Sequence, residues 1–343
     1  MEKILKRLRI YTNEKVKDLK SSYEKCIDCG KCTNCCLFLK KYNINLKDYA
    51  NLPNLAYNCY LCGECKRVCP VDIDGRQISL DLRKSKIEKG YNLYLNGYGA
   101  LLLEKRNYIF KNYKDVNSTV AFFPGCNFSA YYPSTTKVIS KKLKEDFGIS
   151  TVFDCCGKPI ADLNMAKEKE IVKERLNNRF KELGIKRLIL LCPNCYYYFK
   201  NNLDIEVSMI YEHKDIMESL ISKENPNKIE GPLFLPCPDK DSRQIYKMIE
   251  KYIRDTQEIR EIQCCGAGGC ASIKEKELTK NMQDKFKAYD EKIYVYCATC
   301  AGMITKSNTN VEHILCKLIG TKETISVGIN SVKNRALFCY YSG

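Results

Sequence analysis

Short apolar runs alternate with longer charged stretches through most of this 343-residue chain. Thr119–Phe123, Arg187–Leu191, Gly231–Leu235 and Lys292–Tyr296 are brief apolar runs, each ending at or just before a cysteine. Their length and their content of aromatic and branched residues predict strands. Ala166–Leu183 and Lys274–Tyr289 are charged and amphipathic, which predicts helices between those strands. Nearer the N-terminus, Leu37–Asn58 reads as helical, and Ile78, Leu82 and Ile87 recur at helix-compatible spacing. A last apolar run, Ala336–Tyr341, is expected to complete a sheet edge or to contact a partner. No run of 18 or more apolar residues occurs, so no transmembrane helix is expected. Met1–Lys20 carries charges throughout and has no apolar core, unlike a secretory signal. The expectation is a soluble, cytoplasmic protein, with a peripheral seat on the inner face of the membrane only through a partner.

Composition changes this picture at one point. The chain holds 22 cysteines and only two histidines, His213 and His313. Intracellular thiols stay reduced, and disulfide scaffolds are usually far shorter, so metal ligation is the better reading. Soft thiolates favour iron–sulfur clusters or zinc, and two histidines supply little for haem or histidine-rich zinc sites. The formal charge of +16 overstates the basicity of a loaded protein. A cubane held by four thiolates carries about −2, which offsets part of the excess. The remaining basic surface suits anionic substrates, acidic partners or an anionic membrane surface. No nucleic-acid module is present, and the lysine-rich stretches read as solvated helix faces.

Two cysteine runs near the N-terminus share one spacing. Cys26, Cys29, Cys32 and Cys36 follow C-x₂-C-x₂-C-x₃-C, and Cys59, Cys62, Cys65 and Cys69 repeat it before Pro70. This is the bacterial ferredoxin ligand run, in which the fourth cysteine serves the other cluster. The expected sets are therefore Cys26, Cys29, Cys32 and Cys69 for one [4Fe–4S] cubane, and Cys59, Cys62, Cys65 and Cys36 for the other. Gly30 and Gly63 are expected to let the backbone approach the sulfides and donate N–H bonds to them. A pair of zinc sites is the competing reading, and Cys35 could stand in for Cys36. The 22 residues between the runs, Leu37 to Asn58, exceed the gap of a small β-rich ferredoxin.

A second cysteine pattern follows a Tyr- and Lys-rich connection at about residues 91–116, and it occurs twice. The first copy reads Pro124-Gly125-Cys126, then Cys155-Cys156-Gly157, then Cys192-Pro193-Asn194-Cys195. The second reads Leu235-Pro236-Cys237, then Cys264-Cys265-Gly266, then Cys297-Ala298-Thr299-Cys300. The intervals are 28 and 26 residues to the Cys-Cys pair, then 35 and 31 to C-x₂-C. Such a repeat is one domain made twice. The expected division is 1–116, 117–230 and 231–343. Cysteines at the C-terminal ends of strands lie where open α/β sheets hold ligands. Gly125, Gly157, Gly266, Gly268 and Gly269 are the expected cofactor-facing glycines, giving N–H donors and room for a bulky inorganic group.

The stretch Cys69-Pro70 to Gly90 resembles the α-helical ferredoxin domain of respiratory iron–sulfur subunits and of the heterodisulfide reductase C subunit. The doubled pattern, with the two runs before it, resembles the CCG-domain iron–sulfur family. That family includes the heterodisulfide reductase B and D subunits and the C subunit of anaerobic glycerol-3-phosphate dehydrogenase. It also includes iron–sulfur subunits of glycolate and lactate oxidases and of thiol:fumarate reductase. The resemblance covers roughly residues 22 to 320, in the order of a fused D-type subunit. It implies an α-helical ferredoxin domain followed by two α/β cysteine-rich domains. It also implies a noncubane [4Fe–4S] cluster at Cys126, Cys155, Cys156, Cys192 and Cys195, and a second at Cys237, Cys264, Cys265, Cys297 and Cys300. These ten cysteines are the expected catalytic positions. Relatives carry Pro-Cys-His where this chain has Pro236-Cys237-Pro238-Asp239.

Three functions are compatible with these patterns. The first is an oxidoreductase subunit that cleaves a disulfide such as the coenzyme M–coenzyme B heterodisulfide, with Lys and Arg side chains holding its anionic groups. The second is a carrier between a flavin dehydrogenase and a quinone or other acceptor. The third is a scaffold with zinc in the CCG sites. Gly266, Gly268 and Gly269 do not form a dinucleotide fingerprint, so any flavin belongs to a partner. The expected partners are a flavoprotein, a hydrogenase-type protein or a cytochrome b, besides a small thiol or disulfide. Cys35, Cys270, Cys316 and Cys339 fit neither pattern and are expected to be free thiols, with Cys270 nearest the chemistry. His213 and His313 are expected to cap helices or pack, and Tyr196, Tyr197 and Tyr198 to pack rather than wall a substrate site.

Overall fold

A computed structural model describes residues 23–222 and 229–342; the charged stretch Met1–Lys20 lies outside them. The four apolar runs form strands β1 (Val120–Phe123), β3 (Arg187–Leu190), β5 (Ile229–Phe234) and β7 (Ile293–Val295). They are joined by β2 (Ser150–Thr151), β4 (Glu206–Met209), β6 (Ile253–Glu258) and β8 (Val311–His313). The strands make two four-stranded parallel sheets of orders β2-β1-β3-β4 and β6-β5-β7-β8, so the duplicated sequence folds into duplicated topology.

Parallel sheets are covered on both faces, which is why β1 and β3 are nearly continuous apolar runs. Phe122, Phe123, Leu188 and Leu190 are all fully buried, and each such side chain contributes about 1.5–3 kcal/mol. The helix Ala166–Glu182 covers its sheet with Val172, Leu176 and Phe180, spaced four apart on one face. Lys276–Asp284 is helical but tightens to a 3₁₀ turn over Lys285–Ala288, so the second predicted helix is shorter than its charge pattern suggested. One core of buried residues runs from Tyr113 to Ile325 through both sheets.

The N-terminal region is built of short helices: Lys31–Cys35, Leu37–Tyr42, Leu46–Ala50, Glu64–Arg67 and the longer Gly75–Glu88. Its core includes Phe38, Leu46, Tyr49 and Ile73, and it is continuous with Cys264, Leu278 and Met282 of the second sheet unit. Buried Glu275 fastens that junction. Its carboxylate accepts from Lys41 Nζ at 2.6 Å, Tyr42 Oη at 2.8 Å and Asn58 Nδ2 at 2.6 Å.

The C-terminal apolar run departs from the expected sheet edge. Ile329–Phe338 is a helix whose buried residues Ser331, Arg335 and Phe338 fall at helical spacing. Phe338 stacks on Phe153 at 4.6 Å, and Asn112 Nδ2 donates to the carbonyls of Phe338 and Tyr341. Phe338 is the apolar residue this helix buries, while Ile329, Val332 and Leu337 stay exposed.

Candidate metal centre

Each middle strand ends at a cysteine. β1 and β3 are the central pair of the first sheet, and Cys126 and Cys192 follow them within three residues. β5 and β7 are the central pair of the second, and Cys237 and Cys297 occupy the matching places. Pro193 opens the helix Pro193–Asn202 directly after Cys192, and that helix returns Cys195 to the same point.

The sulfurs of each copy lie close to one another. Cys126 lies 3.8 Å from Cys155, and Cys237 lies 3.9 Å from Cys264 at the matching place in the second copy. Cys155 and Cys195 act on Cys156, and Cys264 and Cys300 act on Cys265. The two groups adjoin where Asn194, between Cys192 and Cys195, reaches Cys297 of the second copy. Polar side chains border the seam: Asn127 Nδ2 donates to Thr299 Oγ1 at 2.8 Å, and Asn194 Nδ2 lies 3.7 Å from Cys297 Sγ.

The electrostatics repeat with the geometry. Hydrogen bonds from Cys155 and Cys195 bring Cys156 down to about 6, and bonds from Cys264 and Cys300 bring Cys265 down to about 6, burial opposing in both cases. The seam breaks the symmetry. Cys297 falls well below the ordinary thiol value through its bonds from Cys192 and Cys300, whereas Cys192 is held above it. Lys105 Nζ stands 3.5 Å from Cys126 Sγ and is itself buried. Burial alone would lower the Lys105 ammonium, but the neighbouring Cys126 and Cys155 raise it above its ordinary value. Arg335 joins the same corner, donating to Asn127 Oδ1 at 3.1 Å and pairing with Glu104 at 3.3 Å.

The N-terminal cysteines fall into two groups. Cys26, Cys29, Cys32 and Cys69 line one cleft near the surface, together with Gly30. Cys29 is exposed and Cys32 buried. Cys36 and Cys62 share one neighbour, the amide of Gln263, with Cys59 and Cys65 close by. Cys35 instead turns back to the carbonyl of Cys32 in its own helix, and burial raises it to about 12. Gly30 and Gly63 take the same left-handed conformation, φ 69° and 80°, at the start of the helices carrying Cys32 and Cys65. A β-carbon is disfavoured there, so the matching glycines mark matching turns.

Backbone donors reach several sulfurs: Leu61 N to Cys59 at 3.4 Å, Ile73 N to Cys69 at 3.3 Å, and Gly266 N to Cys264 at 3.3 Å. A β-carbon on Gly125 would lie 3.1 Å from Cys192 Cβ and 3.3 Å from Cys195 Sγ, so this glycine adjoins the sulfurs. Gly157 and Gly266 instead face Val172 and Thr279 of covering helices. Gly268 and Gly269 face the backbone of Tyr60 and Cys59, where β-carbons would come within 2.1 Å and 2.5 Å of carbonyl oxygens. Those two glycines therefore serve the close approach of the second sheet unit to the second cysteine run, not space around Cys264 and Cys265. Among the described residues no three His, Cys, Asp or Glu side chains close round one point as a single metal ion requires. Buried thiols with backbone N–H groups aimed at them are what iron–sulfur clusters require, and the residues fit them.

Residues 120–200 and 233–305 each match the family described as the CCG cysteine-rich domain. The chain carries two CCG domains. It is 25% identical to an uncharacterized iron–sulfur protein of Methanococcus maripaludis over 95% of this chain and 76% of that one. It is 26% identical to an uncharacterized iron–sulfur protein of Methanocaldococcus jannaschii over 71% of this chain; the match spans only 55% of that relative. Among solved structures, an aspartate racemase of Picrophilus torridus covers 64% of this chain and 100% of its own at 12% identity. Its TM-score of 0.32 carries no argument.

The remaining residues have structural places beside the CCG domains. Cys316 is buried against Thr135, and Cys339 bonds the carbonyl of Arg335. Cys270 packs with the cluster of Tyr57, Tyr98 and Ile160. His313 caps the helix Ile314–Ile319, its Nδ1 accepting from Leu315 N, and burial lowers it to about 4. His213 bonds Ser208 Oγ at 2.8 Å. Tyr196 is buried beside Cys195, and Tyr197 donates to Asp239. Asp239 also accepts from Tyr296 Oη at 2.7 Å and from the N–H groups of Ile245 and Tyr246. The departure at Pro238-Asp239 therefore joins the two CCG domains and holds a helix start. Sequence reasoning missed Lys105, Arg335, Gln263 and Lys240. Only their positions in space mark them.

Proposed function

We propose that the chain is an iron–sulfur electron-transfer subunit. Its helical N-terminal region resembles a ferredoxin domain with two cubane clusters, and its paired CCG domains reduce a disulfide with noncubane clusters. The substrate class is that of heterodisulfide reductases, with the coenzyme M–coenzyme B heterodisulfide as its type. The meeting of the two five-cysteine groups at one seam, where Asn194 of the first reaches Cys297 of the second at 3.7 Å and Asn127 bonds Thr299, carries this reading. Two separate binding scaffolds have no need to bring their cysteines together, whereas a two-electron cleavage needs both halves at one place.

Balanced, the reaction consumes one disulfide, two electrons and two protons and yields two thiols. The clusters, when bound, supply one-electron storage and soft iron for sulfur. The chain's own residues do the rest. Exposed Cys29 puts the first cysteine group where a redox partner can reach it. Lys240 bonds the carbonyl of Gln263 and pairs with Glu64 of the second cysteine run, so its charge serves the passage from the N-terminal groups to the second CCG domain. Lys105 and Arg335 stabilise negative charge at Cys126. Asn127, Asn194 and Thr299 line the half-buried seam and offer hydrogen bonds to a polar substrate.

Anaerobic iron analysis, EPR and a reduced-dye assay test the reading. About sixteen irons, four per site, with dye oxidation on adding the heterodisulfide, support it. Reducible clusters that ignore disulfides but accept electrons from a flavin dehydrogenase establish a carrier instead. Eight irons with one or two zincs establish a scaffold.

A further inference from the structure

We infer that Gln263 is a positioning residue that raises the reduction potential of the inner N-terminal site, Cys36, Cys59, Cys62 and Cys65, and couples it to the second CCG domain. The inference rests on the reading that these four cysteines hold a cluster.

Gln263 is 5% exposed, and its side chain spans the junction of two regions more than 200 residues apart in sequence. Its Nε2 lies 3.7 Å from both Cys36 Sγ and Cys62 Sγ. Its Oε1 accepts from Leu37 N at 2.5 Å. That bond fixes the amide orientation, because a backbone N–H can face only the oxygen; the NH₂ must then point at the sulfurs. The Gln263 backbone carbonyl accepts from Lys240 Nζ at 2.9 Å, and Lys240 stands 3.6 Å from Glu64 of the second cysteine run. Cys264 and Cys265, the CCG pair, follow Gln263 directly in the chain. One residue therefore touches two sulfurs of one site and is bonded to a third sulfur-bearing residue of the next.

The duplication supplies an internal control. Asp154 holds the same position before Cys155-Cys156 in the first CCG domain. Its carboxylate accepts instead from Tyr113 Oη at 2.6 Å and from Arg175 at 2.5 and 3.0 Å. Both CCG domains touch the N-terminal region, but the second carries an amide at this position, and that amide reaches two cysteines of the N-terminal runs. Donors to cluster sulfurs favour the more negative, reduced state and so raise its potential.

The test is an EPR-monitored redox titration of the full reconstituted chain. In Gln263→Leu both N–H···S contacts are lost, and the reduced-to-oxidised ratio of the inner site at the wild-type midpoint should fall about tenfold, about 59 mV for one electron. Gln263→Glu keeps the shape and the acceptor for Leu37 but replaces the donor with an anion, and should fall at least as far. Midpoints unchanged in both variants, at wild-type iron content, overturn the inference. Loss of that site's iron in both, with the fold intact by circular dichroism, overturns it too, since Gln263 would then serve assembly. If Gln263→Leu alone loses iron, Gln263→Glu decides. A wild-type chain with no reducible signal from this site overturns the underlying reading instead, a result the variants cannot imitate.

Discussion

Asn194, which lies between Cys192 and Cys195 of the first CCG domain, points its amide at Cys297 Sγ of the second from 3.7 Å, and this contact brings two five-cysteine groups to one seam. The two sites should therefore not behave independently. Cys297→Ser is expected to remove about four irons per chain and to alter the EPR line shape of the signal that remains from the first CCG domain. Iron analysis with EPR checks this. An unaltered remaining signal would mean that the two groups adjoin without coupling.

Arg83 ties three parts of the chain together without any carboxylate. Fully buried, it donates to the carbonyls of Ala56 at 2.8 Å, Cys59 at 2.8 Å, Asp162 at 2.6 Å and Gly269 at 2.9 Å, and lies 5.0 Å over the Tyr57 ring. Removing it strands buried acceptors, each costing about 1–3 kcal/mol. Arg83→Leu should lower stability by about 3 kcal/mol or more, and Arg83→Lys should recover only part, since an ammonium cannot span four carbonyls. Chemical denaturation of the anaerobic chain reads both values.

Glu275 makes the N-terminal junction pH-sensitive. Burial raises its carboxyl, but the bonds from Lys41, Asn58 and Tyr42 prevail and hold it below the usual carboxylate range. Its contribution is thus complete above the ordinary glutamate value, about 4.3, and is lost as pH falls through the lowered folded value. The melting-temperature gap between wild type and Glu275→Gln should narrow between about pH 5 and pH 3. A gap that is constant across that window would rule out the linkage.

Lys105 places a buried cation against Cys126. Lys105→Met should shift the first CCG domain's midpoint downward, because the reduced state loses its nearest positive charge. Lys105→Arg should retain most of the wild-type value. A redox titration separates this from packing, which Met preserves; equal midpoints in all three proteins would refute the electrostatic role.

Much of this arrangement could be read along the chain. The runs Thr119–Phe123 and Lys292–Tyr296 announce strands because a strand covered on both faces needs only short-range apolar continuity. The spacing of Cys155-Cys156 and Cys192-x-x-Cys195, repeated at Cys264-Cys265 and Cys297-x-x-Cys300, announces a duplicated site because neighbouring ligands are set by local reach. The tail Ala336–Tyr341 misled, since an apolar run of that length suits a strand or a helix equally until its packing partner, here Phe153, is known. Gly268 and Gly269 misled for a related reason: a glycine signals a close approach without naming what approaches.

By itself, then, the sequence determined that one domain was made twice, because a repeated cysteine spacing and its flanking strands depend on separations of a few residues and on periodic burial. Only the tertiary structure decided how the groups are ordered. Cys62 stands by Gln263, and Cys297 by Asn194, through contacts between segments far apart in the chain. Such contacts arise from the docking of whole sheets and helices. Gln263, Arg83 and Glu275 look like ordinary polar residues until that docking buries them.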